Sequence, residues 1–233
     1  MRRLIQFFLI AVFTFLLPGS LHANVNGIPL KDYPRQSLLY ENLNIENFDL
    51  LGEIVLLPEE SFDYEEVADI ISRIDALPEK MLRKITEERI YLALFNGKLT
   101  DNPSVRDLRG VTPRGYTSDK TWDEVPGVGG SRLVLAKIGS SAQGSGHGSF
   151  NLELHELAHS IDRHVYNLIR DDAEFLEIWK KESKMLFPGQ EYFLNYPEEY
   201  FAETFAMYYL GGEYHQLLRD VAPQTYWFIE GLE

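Results

Sequence analysis

The segment His155-Glu156-Leu157-Ala158-His159 is an HExxH sequence. On a helix, residues four apart share one face about 6 Å from each other, so two imidazoles can each reach about 2.0–2.1 Å to one zinc ion. Glu156 then flanks the open position of the metal, where it can take a proton from water whose pKa the ion lowers toward about 7. Three fixed positions in five also arise by chance, so the surroundings carry the argument. Apolar residues recur at Leu154, Leu157, Ala158, Ile161, Val165 and Leu168, the stripe of an amphipathic helix, with both histidines flanking it. A Gly-rich run, residues 139–148, precedes the stripe, and Ser149 is placed to cap the helix. The spacing predicts a metal-binding helix over 149–169.

The chain begins Met1-Arg2-Arg3, continues with an apolar run from Leu4 to Leu17, and breaks at Pro18-Gly19 before Ser20-Leu21-His22-Ala23. This is the layout of a signal peptide, with an apolar core shorter than the roughly 20 residues that span a bilayer. Cleavage after Ala23 and secretion are expected. Leu21 stands where a small residue is preferred, which keeps an uncleaved membrane anchor as the alternative. Loss of residues 1–23 removes Arg2 and Arg3 and no acid, so the formal charge moves from −14 to −16 over 210 residues. Such acidity disfavours nucleic-acid binding, which needs basic patches, and no stable membrane association is expected after cleavage. The chain has no cysteine, so disulfides and thiolate ligands are excluded and a metal must use His, Asp or Glu. With 45% apolar residues, the remaining length can bury one core.

Beyond the signal, residues 24–48 read as a turn-rich arm, and 49–233 as one domain. Within it, Phe48 to Leu57 reads as a strand, Tyr64 to Leu77 as an amphipathic helix, and Pro78 to Glu88 as a second helix. Ile90–Phe95 and Arg132–Ile138 alternate as strands, with a polar, turn-rich stretch from Leu99 to Gly130 between them. Segments 149–169, 172–186, 197–210 and about 223–232 carry helical patterns, and Gly211-Gly212 supplies a stop. The expected fold class is α+β with two lobes: a small sheet with helices over about 49–148, then the active-site helix and an all-α lobe over about 149–233.

Catalytic zinc usually takes three protein ligands plus water. A metzincin would place a glycine three residues after His159 and a histidine six after it. Asp162 stands at the first position and His164 comes one residue early, so that class is rejected. His164 reads as a surface residue or a partner of a ligand, His147 as a solvated loop histidine with substrate contact as the alternative, and His215 as a surface residue. Glu174, Glu177 and Glu182 compete with Glu199 and Glu203 for the third position. Glu177 lies in a charged segment with Lys180, Lys181 and Glu182, as a solvated face does. Glu199 and Glu203 share a face with Ala202 and Ala206 among aromatics, where two carboxylates need compensation for burial.

His155-Glu156-Leu157-Ala158-His159 followed by Glu199-Tyr200-Phe201-Ala202-Glu203 resembles the catalytic domain of anthrax lethal factor and the related Pro-Pro endopeptidases, a family of zinc metallopeptidases. The resemblance extends to Trp122-Asp123-Glu124-Val125-Pro126-Gly127-Val128-Gly129-Gly130 and to Ala222-Pro223-Gln224-Thr225-Tyr226-Trp227-Phe228-Ile229. It implies a zincin-like fold holding one Zn2+ per chain on His155, His159 and Glu199, with Glu203 supporting a ligand histidine. It also implies Glu156 as the base and Tyr192, seven residues before Glu199, as donor to the oxyanion, with Tyr196 as the competing position. A secreted metalloendopeptidase acting on extended peptide or protein substrates, at proline-rich sites, follows from the resemblance. The order strand, loop, helix further suggests Arg132–Ile138 as an edge strand that pairs with a peptide. Two rival readings remain: a toxin-like or adhesion module that binds without catalysis, and a structural zinc protein with a closed four-ligand site.

Overall fold

The computed structural model describes residues 27–113 and 120–232. The expected signal segment, 1–23, lies outside them. The described chain starts with β1 (Ile28–Pro29) and α1 (Leu38–Asn42), so the expected arm is built into the fold: β1 pairs antiparallel with a later strand, and Leu30 and Leu39 are fully buried.

Phe48 to Leu57 is not one strand. It forms α2 (Phe48–Ile54) and then β2 (Val55–Leu57). The apolar residues Phe48, Leu51 and Ile54 recur every three residues while Asp49 and Glu53 face outward, which is helical spacing. Gly52 lets α2 press on the side of Lys31, whose Cβ would lie 3.0 Å from an added Cβ. Only the apolar triplet Val55-Leu56-Leu57 extends.

Next come α3 (Tyr64–Asp75) and α4 (Glu79–Glu87). Asp63 caps α3 by accepting from the N–H groups of Glu65 and Glu66, and one face, Val67, Ile70, Ile71 and Ile74, is wholly buried. β3 (Tyr91–Phe95), β4 (Gly127–Val128) and β5 (Leu133–Lys137) complete a five-stranded sheet ordered β1-β2-β3-β5-β4. β2, β3 and β5 run parallel, and the two outer strands are antiparallel to their neighbours. Alternation sorts the parallel strands: Leu92, Leu94, Val134 and Ala136 join the main core, while Ala93, Phe95 and Leu135 pack under Val105, Trp122 and Val125 of the 99–125 segment. Both faces are covered, which explains the continuous apolar runs. β5 is paired on both sides, by β3 and β4, so it is not the edge expected from sequence; β4 is.

The second half is helical: α5 (Leu152–Ser160), α6 (Ala173–Leu186), α7 (Glu191–Asn195), α8 (Pro197–Leu210), α9 (Gly212–Val221) and α10 (Pro223–Glu230). Asn151, not Ser149, caps α5, its Oδ1 accepting from Leu154 N at 2.9 Å. The expected run to 169 stops early. A π-helical turn, Ile161–Val165, follows α5, and Asn167 and Leu168 then adopt left-handed φ values of 54° and 73°. The buried Asp162 carboxylate holds that exit by accepting from the backbone N and the Nε of Arg170 at 2.9 and 2.6 Å. Gly211 stops α8 as expected, but Gly212 begins α9, which the sequence reading lacked. His215 therefore packs inside a helix, stacked 5.0 Å from Tyr226, rather than on open surface. One core cluster runs through both halves.

Candidate metal and catalytic site

α5 and α8 pack directly on each other, with Ala158, Ala202 and Ala206 fully buried, and this close approach sets the site. His155 and His159, one turn apart on α5, meet Glu199 from the first turn of α8. His155 Nε2 lies 3.2 Å from His159 Nε2, and Glu199 Oε2 lies 3.4 and 3.3 Å from the two nitrogens. Donors each about 2.0–2.1 Å from a tetrahedral zinc stand roughly 3.3 Å apart. The three separations therefore outline one face of such a tetrahedron, and these residues form a three-ligand group among the described residues.

Glu203, one turn further along α8 and 1% exposed, lies behind this face. Its Oε2 is 2.8 Å from His155 Nδ1, and its Oε1 accepts from Phe150 N at 2.8 Å. With Nδ1 donating to the carboxylate, the Nε2 lone pair of His155 points at the ligand position. The other carboxylates expected as competitors stand apart. Glu177 is exposed and pairs with Lys180, and buried Glu182 accepts from the backbone of Gln224 and Thr225, capping α10.

The electrostatics are those of a cation site. Burial works to raise Glu199, but hydrogen bonds from His155 and His159 outweigh it and hold its carboxyl well below the usual carboxylate range. Burial works to depress His155, but Glu199 and Glu203 outweigh it and raise its proton affinity well above the ordinary value. Burial raises the Glu156 carboxyl, and the two histidines beside it oppose that shift. Three carboxylates thus surround two imidazoles, and a divalent ion would neutralise that excess.

A cleft of about 640 Å³ opens over this cluster, with His155, His159, Glu156 and Glu199 in its floor. Tyr192, on α7, lies in its wall; Tyr196, at the N-cap of α8, is outside that lining. Trp179 Nε1 donates to Phe193 O at 2.9 Å, which fixes α7 against α6 and presents Tyr192 to the cleft. The far wall is β4 and the turn after it, with Pro113, Trp122 and Val125; residues 114–119 lie outside the described segments. Gly127 and Gly129 are required here, because added Cβ atoms would lie 3.0 Å from Glu156 Cγ and 1.9 Å from Glu156 O respectively.

Of the two readings of the loop histidine, the solvated one gives way to a place in the cleft. His147 is half-buried in the cleft wall, its Nε2 donating to Ser140 O at 2.6 Å, and burial lowers its proton affinity. His164 packs in the π-helical turn, with burial and Arg132 and Arg163 lowering its proton affinity. Arg163 and Arg170 line the end of the cleft near His159. The sequence carried no signal for them beyond helical distance from His159, and the π-helical turn shifts their phase.

Residues 42–232 match the family described as anthrax toxin lethal factor, N- and C-terminal domain. A Pro-Pro endopeptidase of Clostridioides difficile is 42% identical over 189 residues, covering 80% of this chain and 84% of that protein. A Pro-Pro endopeptidase of Paenibacillus alvei is 36% identical over 184 residues, covering 78% and 84%. The solved structure of the Paenibacillus alvei Pro-Pro endopeptidase superposes with a TM-score of 0.75 at 36% identity, over 79% of this chain and all of that one. By these matches the chain belongs to the anthrax lethal factor-like family, alongside the Pro-Pro endopeptidases.

Proposed function

We propose that the protein is an exported zinc metalloendopeptidase that cuts extended substrates at Pro-Pro bonds. The observation that supports this best is the set of three donor separations, 3.2, 3.3 and 3.4 Å, between His155, His159 and Glu199. All-nitrogen and oxygen donors in tetrahedral spacing with one side open to a cleft suit catalytic zinc. When bound, the ion supplies Lewis acidity at the scissile carbonyl.

The chain's own residues do the rest. Glu156, half-buried beside the open side, takes the proton of the attacking water and returns it to the leaving amine. Burial raises its carboxyl toward the range such a shuttle needs. Glu203 holds His155 in the ligand tautomer. The Tyr192 hydroxyl donates to the oxyanion as the carbonyl becomes tetrahedral. The edge strand β4 offers backbone for an extended peptide to pair with. Proline preference rests on the relatives' names and fits the apolar cleft wall of Pro113, Trp122, Val125 and Phe193, which suits pyrrolidine rings. Export rests on the charge and apolar layout of residues 1–23.

The test is a proline-scanning peptide library read by mass spectrometry. Cleavage confined to peptides with consecutive prolines, lost on chelation and regained with one zinc per chain, is the expected result. Cleavage indifferent to proline would overturn the substrate assignment, and full activity after metal removal would overturn the mechanism.

A further inference from the structure

Ser160 follows His159 on α5 and is fully buried, yet its hydroxyl leaves its own helix. A serine within a helix commonly bonds back to the carbonyl four residues earlier, here that of Glu156. In this protein the backbone of Gly129 lies against that carbonyl, so close that a Cβ on Gly129 would sit 1.9 Å from Glu156 O. Ser160 Oγ turns outward to the same turn instead. It accepts from Gly130 N at 3.0 Å and donates to Ser131 O at 2.7 Å. One hydroxyl thus grips two peptide units of the turn joining β4 to β5, those on either side of the Gly130–Ser131 unit.

The same stretch packs on the Glu156 side chain as well, since a Cβ on Gly127, in β4, would lie 3.0 Å from Glu156 Cγ. Glu156 and Ser160 are four apart and so share a helix face, and the turn lies along it. Gly130, at φ 80°, lets the chain reverse there. No other side-chain hydrogen bond ties Gly129 or Gly130 to α5 among the described residues. Beyond α5 itself, in the π-helical turn, the exposed Arg163 reaches Gly130 O at 3.2 Å.

We infer that Ser160 is a positioning residue for Glu156: it anchors the Gly129–Ser131 turn, and with it the β4 backbone packed on Glu156, which holds the carboxylate at the angle proton transfer needs. The inference rests on the reading of Glu156 as the base. Loss of the grip releases the turn, leaves the ligand side chains of α5 and α8 in place, and lets the carboxylate rotate.

The experiment compares zinc-loaded wild type, Ser160→Ala, Ser160→Thr and Glu156→Gln. Ser160→Ala is expected to keep one zinc per chain while kcat falls about ten- to hundredfold and KM moves far less. Ser160→Thr, which keeps the hydroxyl, restores most of the loss. In the metal-free protein, amide NMR of Ser160→Ala shows faster hydrogen exchange at Gly130 and a displaced Gly129 resonance, a readout independent of turnover. If the threonine methyl prevents folding, the amide data and the kcat against KM split on Ser160→Ala decide alone. Unchanged kcat in Ser160→Ala, loss of zinc in step with activity, or an unmoved Gly129 amide overturns the inference. An active Glu156→Gln variant overturns the base assignment instead, and a Gly129 amide that shifts in that variant shows the contact exists whichever role Glu156 plays.

Discussion

Three carboxylates and a phenol at or just behind the cleft, Glu156, Glu199, Glu203 and Tyr192, differ in what each touches. Glu156 faces the cleft and is not one of the three convergent donors, so Glu156→Gln is expected to abolish peptide hydrolysis with zinc content near one per chain, measured by elemental analysis on the assayed protein. Glu199→Ala, by contrast, is expected to lower metal content and activity together, whereas Glu177→Ala, at an exposed position paired with Lys180, leaves both near wild type. Tyr192→Phe is expected to cut kcat by about 10²–10³, roughly 2.7–4 kcal/mol of transition-state stabilisation, with little change in KM. Tyr196→Phe is the matched control, since that side chain is outside the cleft lining; the reverse pattern would move the oxyanion donor to Tyr196. The HExxH residues were legible because spacing along one helix is a local property. Glu203 and Glu199 were legible as a pair of acids on a face with small residues. Which of the two joins the histidine nitrogens is decided by how α8 is seated on α5, and the local pattern holds no record of that.

Within the stretch Leu99 to Gly130, which reads as polar and turn-rich, one acid ties the described residues around Thr100, Gly110 and Thr121 together. Asp123 accepts from Thr100 Oγ1 at 2.6 Å, Gly110 N at 2.7 Å and Thr121 Oγ1 at 3.0 Å, and these bonds, Thr100 first, lower its carboxyl to about 2 from 3.8. Because the folded value lies below the unfolded one, the stabilisation is complete above the ordinary carboxylate range and is lost as pH falls through about 2. Asp123→Asn is therefore expected to lower the melting temperature at neutral pH, with the gap to wild type closing as pH falls between about 4 and 2; a gap independent of pH would show the acid is not the latch. Elements with strong period, α3, α4, α6 and α8, sit within a few residues of their sequence limits. The failures have separate causes. In Phe48–Leu57 a short amphipathic helix runs into an apolar strand, and the strand's β-branched residue coloured the whole window. In 149–169 the pattern continues past the point where Asp162 and the left-handed Asn167 and Leu168 redirect the chain.

For the molecule as a whole, a metal held at this site would be linked to the fold. An ion that binds only the folded protein stabilises it by about 2.7 kcal/mol at a hundred times its dissociation constant, so chelation is expected to lower the melting temperature and zinc to restore it. The pH dependence has opposite signs in the two states. Without metal, the raised proton affinity of His155 stabilises the fold at low pH and this contribution is lost as pH rises through the folded value; with zinc, ligation needs neutral imidazoles, so the zinc increment shrinks on acidification. Calorimetry with and without zinc across pH 5–8 checks both slopes. What the chain's residues announced locally were the acidic balance, the absence of thiol ligands, the helix with its paired histidines and the alternating strands, because each depends on neighbours within a turn or two. What folding in three dimensions added was the edge at β4 instead of β5, the choice of Glu199 over its competitors, the burial of His147, and the grip of Ser160 on the Gly129–Ser131 turn. The seating of Glu199 and the grip of Ser160 join residues about thirty to fifty apart, and the edge depends on which strand lies outermost; long-range packing of this kind leaves no periodic trace in the order of amino acids.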